Sequence, residues 1–144
     1  MFTGDTAGVR YEWLKDDGID FFLPTTSPNH FDPEAMIQSI DRIREYGLDR
    51  LYFGRFNMTE NVEEAFQQVS KWIPVFVKEG EKALSSGKSV DGLVKSLHDR
   101  VSKHLKSFHI PENHKVFKVL DLDLQVSAMG IIDYLQKQNN LLKS

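Results

Sequence analysis

Two short stretches decide how this chain is read: Phe2-Thr-Gly-Asp-Thr-Ala-Gly8 and Leu51-Tyr-Phe-Gly-Arg-Phe-Asn57. Each contains apolar, β-prone residues and stops at a polar turn, the pattern of a strand end. Gly4 and Gly8 bracket the first turn, where glycine adopts backbone conformations that bulkier residues resist. Asp5 lies in that turn and Arg55 in the second. A carboxylate at a strand end can meet groups from neighbouring strands, so Asp5 is a candidate for chemistry. The plainer reading of such an aspartate is a turn former.

Working outward, residues 9–18 read as a loop, with Asp17-Gly18 as a turn signal. Ile19 to Leu23 reads as a second strand, ended by Pro24, and Arg50 to Phe56 as a third. Between them, Asp32-Pro33-Glu34 starts a helix: a capping carboxylate, proline at the first helical position, then an acid near the positive end of the dipole. Met36, Ile37, Ile40 and Ile43 mark one face of that helix, and Gly47 ends it.

From Thr59 the pattern becomes helical. Val62, Phe66, Val69, Ile73 and Phe76 recur at helical spacing on both sides of Pro74, so the proline is expected to kink the helix without ending it. Val90, Leu93, Leu97, Val101 and Leu105 form the next stripe, stopped before Pro111. The segment Leu120-Asp-Leu-Asp-Leu-Gln-Val126 alternates like a strand. Leu124, Ala128, Ile131 and Leu135 nevertheless keep helical spacing, and a helix over about 121–138 is the expectation.

The chain has 144 residues, 40% hydrophobic and 27% charged, enough apolar material for a real core. Its net charge of −3 gives no electrostatic case for nucleic acid. No apolar run approaches the length of a membrane span, and no basic leader precedes an apolar run. A cytoplasmic protein, bound to neither nucleic acid nor membrane, is expected. The absence of cysteine excludes disulfides, thiolate ligands and a cysteine nucleophile.

The five histidines, His30, His98, His104, His109 and His114, include no pair at the spacing of a strand or helix chelate. They read as surface or capping residues. No Gly-x-Ser-x-Gly elbow and no glycine-rich phosphate loop occurs. Glu12, Asp16, Asp17 and Asp20 form an acidic stretch without EF-hand spacing, which reads as a solvated loop and strand entry.

The motifs Phe2 to Gly8, Leu23-Pro-Thr-Thr-Ser-Pro28, Phe31-Asp-Pro33 with Ser39-Ile-Asp-Arg-Ile43, and Leu51 to Phe56 together resemble the C-terminal half of metallo-β-lactamase-fold hydrolases. The resemblance covers residues 1 to about 58. It implies an αββα sandwich with a dinuclear metal centre, in which Asp5 stands at the bridging aspartate. Arg55 stands where the family has a ligand histidine after the last core strand. The His-x-His-x-Asp-His half has no counterpart here. An arginine keeps its charge and is no neutral imidazole donor, and one carboxylate is no tight metal site.

The resulting expectation is an α/β fold, a partial metallo-β-lactamase-like half-sandwich of about three strands over residues 1–58. A helical C-terminal extension over 59–144 packs on it. The chain reads as a truncated or degenerate member of that superfamily without independent hydrolase activity. The alternative is a metal-dependent hydrolase half completed by an N-terminal partner chain, so enzymatic status stays open. No catalytic or cofactor-binding residue is assigned, and Asp5 is the single metal candidate. Zinc, iron or manganese enters only if a partner completes the site. A half-sandwich would leave an apolar sheet face, and such faces mark interfaces. A homodimer, or a complex with a complementing chain, is therefore expected.

Overall fold

Helices dominate the computed structural model of this chain, which describes residues 2–4, 8–11, 14, 17–24, 31–53 and 58–143. Helices α1 (Pro33–Arg44), α2 (Val62–Ser85), α3 (Val90–Lys106) and α4 (Val116–Lys143) have 12, 24, 17 and 28 residues. Strands β1 (Phe2–Gly4), β2 (Val9–Arg10), β3 (Phe22–Leu23), β4 (Leu51–Phe53) and β5 (Met58–Thr59) have only two or three residues each. Strand β1 runs parallel to β4, which pairs antiparallel with β5, while β2 and β3 form a separate antiparallel pair.

The expected α/β half-sandwich is therefore corrected: this is a mostly helical protein with minimal strand pairing. The reason lies in what covers the apolar runs. Phe21, Phe22 and Leu23 are all buried, as is Leu51. Apolar residues on successive positions suggest two-sided sheet packing. Helices meet that demand instead, because Phe22 and Leu51 share one core with Ile40 of α1 and with Val62, Phe66, Val69 and Ile73 of α2. A residue buried against helices needs no long ladder beside it. Strand β2 also forms within the stretch expected as a loop, and β5 ends at the threonine expected to cap α2.

The chain divides into two compact units, Met1–Thr25 with Asp32–Val75 and Thr26–Phe31 with Phe76–Ser144. In the first, Asp32 caps α1 through a hydrogen bond from the Ala35 amide, 3.1 Å, and Pro33 occupies the first turn. Gln68 of α2 fastens β3. Its amide oxygen accepts from Phe22 N at 3.0 Å, and its amide nitrogen donates to the Asp20 carbonyl at 2.7 Å. Arg10, buried, pairs with Asp20 across the β2–β3 hairpin at 2.8 Å. An acidic residue expected to be solvated thus balances a buried guanidinium. Gly8 has φ +88°, and a β-carbon there would overlap the Leu23 carbonyl oxygen.

In the second unit, α2 ends at Ser85 and Gly87 turns the chain with φ +67°, letting Lys88 N reach the Ala83 carbonyl at 2.8 Å. Ser89 then caps α3. That helix stops through His109, which takes the left-handed φ of 66° while Ile110 N returns to the Leu105 carbonyl at 3.2 Å. Leu93, Leu97, Val101 and Leu105 of α3 bury one stripe, as do Leu120, Leu124, Ala128 and Ile131 of α4. Helix α2 continues through Pro74, whose missing N–H leaves one carbonyl of the preceding turn without its helical donor. No helix among the described residues is long and apolar enough to cross a membrane.

Candidate functional site

Asp5 and Arg55, the two residues that the family resemblance places at a metal site, lie outside the described residues, as does His30. Among the described residues no group of three or more histidine, aspartate or glutamate side chains is placed to hold a metal ion. They do not fit zinc, iron or manganese, which need several converging donors.

Two other features stand out, both in the second unit. One is a cleft of about 450 Å³ beside α3, lined by His98, Asp99, Ser102, Lys103, Lys106, Glu112 and Phe117. Helical periodicity builds it, since His98 and Ser102 are four apart, as are Asp99 and Lys103. Ser102 Oγ lies 3.2 Å from His98 Nδ1, and His98 Nε2 lies 3.3 Å from Asp121 Oδ1 on α4. The His98 ring also packs on Phe117, with centroids 5.7 Å apart. Lys106 pairs with Glu112 and, by hydrogen bond and charge, holds that carboxyl below the usual carboxylate range.

This serine–histidine–aspartate chain carries no elbow motif, and the sequence does not announce it. The four-residue spacing of His98 and Ser102 is the available signal. The chain can relay a proton, but acyl transfer also needs donors aimed at an oxyanion. Ser102 sits inside α3, where backbone amides already bond along the helix. The arrangement is a polar tie between α3 and α4 rather than an acylation site.

The second feature is a row on α4. Leu122, Val126 and Met129 are 66%, 47% and 51% exposed. They follow one another at steps of four and three, so they share one side of the helix. The opposite side of the same turns is buried through Leu120, Leu124 and Ala128. Lys115 and Lys118, both exposed, precede the row. Asp133 follows it, held by Lys137 at 3.0 Å. Scattered exposed apolar residues are ordinary, but three in register on one helix form a face.

The histidines act locally. His114 Nδ1 accepts from Val116 N at 3.0 Å and so caps α4, while His104 packs edge-on against Phe108 at 5.2 Å. Comparison with protein-family models, with curated proteins and with solved structures finds no match for this chain.

Proposed function

We propose that this chain is a cytoplasmic, non-catalytic protein that works by associating with a second copy of itself. The observation that carries the reading is the exposed row Leu122, Val126 and Met129 on α4. Covering such a face removes apolar surface from water, and association is the route left open once the folded chain has exposed it. The ground for association is thus a helix face, not the sheet face expected from the sequence. The motif resemblance of residues 1–58 supports descent from metallo-β-lactamase-like sequences, and Arg55 in place of a ligand histidine supports loss of their metal chemistry.

Sedimentation velocity from micromolar to near-millimolar protein tests the reading. The expected result is a reversible rise in mass with concentration that Leu122→Glu abolishes while helical circular dichroism is retained. A monomer at every concentration overturns it. Stoichiometric zinc, iron or manganese in the purified protein overturns the non-catalytic part.

A further inference from the structure

We infer that two copies pair through α4 in antiparallel orientation, about a twofold axis beside Val126. This rests on the association reading above and adds the geometry of the partner.

Charge decides the orientation. The lysines Lys115 and Lys118 lie at the N-terminal end of the apolar row, and Asp133 lies at its C-terminal end. In a parallel pair each end meets its own copy, so lysines face lysines and aspartate faces aspartate. Like charges at such positions are destabilising. In the antiparallel pair Leu122 meets Met129 of the second copy, Val126 meets its own counterpart near the axis, and Lys118 meets Asp133. Asp133 already holds Lys137, and a carboxylate accepts from more than one donor. The helix dipoles also oppose each other in this arrangement. A twofold contact closes on itself, so the pairing stops at a dimer.

The row is short. Residues 122 to 129 span about 10 Å of helix at about 1.5 Å per residue. Such a patch buries less than the roughly 1,200 Å² of a standard interface, so the dimer is weak and concentration-dependent.

The chain has no cysteine, so an introduced one is unique. Leu122→Cys and Met129→Cys variants, each at an exposed position, are oxidised separately and as a mixture at high concentration. The expected result is disulfide dimer in the mixture and little with either variant alone. In the antiparallel pair the two thiols of Leu122→Cys are offset by about seven residues, roughly 10 Å along the helices, beyond the roughly 7 Å reach of a disulfide between α-carbons. Dimers formed by each variant alone show a parallel pair and overturn the inference. No disulfide in any sample also overturns it. Sedimentation of the same wild-type stock then separates the two failures. A wild-type dimer keeps association and discards α4 as its face, whereas a monomer discards both. A second measurement uses charge: Lys118→Glu weakens the dimer several-fold, and adding Asp133→Lys restores it. Equal weakening by both changes together overturns the inference.

Discussion

Gly80 of α2 meets Ile131 of α4 so closely that a β-carbon on the glycine would overlap Ile131 Cγ2 and lie 2.9 Å from Leu135 Cδ1. Ile131 is fully buried and has no solvent to retreat into. The glycine therefore sets how near the two helices come within the second unit. Gly80→Ala gains about 1 kcal/mol of helix propensity, and overpacking a filled core costs about 1–3 kcal/mol. A net loss of about 1–2 kcal/mol is expected by urea unfolding. The penalty should shrink when Ile131→Ala is added. An equal penalty in both backgrounds would show that the two residues do not constrain each other.

Gly8 faces a harder obstacle, because the atom in the way is backbone. A β-carbon there would overlap the Leu23 carbonyl oxygen and lie 2.8 Å from Val69 Cγ2, at a φ of +88°. Gly8→Ala is expected to lose on the order of 2–4 kcal/mol from strain and overlap together. Gly18 serves as the control, with φ +74° and no atom within 4 Å of the place its β-carbon would take. Gly18→Ala should lose only about 1–2 kcal/mol, the left-handed penalty alone. Equal losses at the two sites, measured by thermal unfolding, would remove the packing argument.

Glu79 is buried on α2, and Arg100 of α3 donates to it at 2.8 Å. Lys82 lies farther off, at 3.9 Å. Arg100→Met keeps much of the aliphatic stem and removes the charged donor. The expected loss is about 1.5–3 kcal/mol, the range for a hydrogen bond to a charged group. Replacing both residues by Met should cost less than Arg100→Met alone, since no carboxylate is then left buried without its partner. A double variant less stable than the single one would contradict this account.

Lys106 holds the Glu112 carboxyl below its ordinary range, by hydrogen bond first and by charge second. A depressed folded-state value means that the pair adds stability above the ordinary carboxylate range. That contribution fades as the pH falls through the lower folded value. The pair is exposed and its contribution to stability is small. The sensitive readout is the titration of Glu112 followed by NMR. Lys106→Met should move its midpoint up toward the ordinary value, and an unmoved midpoint would remove Lys106 as the cause.

The helices are legible because their signals are local. Asp32 and Pro33 start α1, and Pro111 follows the end of α3, at positions readable from neighbouring residues. The strands are not, because a strand is defined by a distant partner. Nothing in Val9-Arg10 announces that Phe22-Leu23 will pair with it, and nothing in Phe21 to Leu23 says that α2 covers it. The metal candidate Asp5 is legible only through a family motif and lies outside the described residues. Ser102, His98 and Asp121 meet only because α3 and α4 pack together, a relation that no spacing within one helix reveals.

The segment Leu120 to Val126 shows the division most clearly. By itself the sequence determined that its leucines and valine alternate with polar residues, and that Leu124, Ala128, Ile131 and Leu135 recur at helical steps. These facts bound the segment to a strand or a helix. Only the tertiary structure decided which of the apolar residues go inside. Once α4 forms, Leu120 and Leu124 fall on the side that packs in the core, and Leu122 and Val126 turn outward. A helix of about 3.6 residues per turn cannot bury residues two apart on one face, so half of this apolar run is left for a partner to cover.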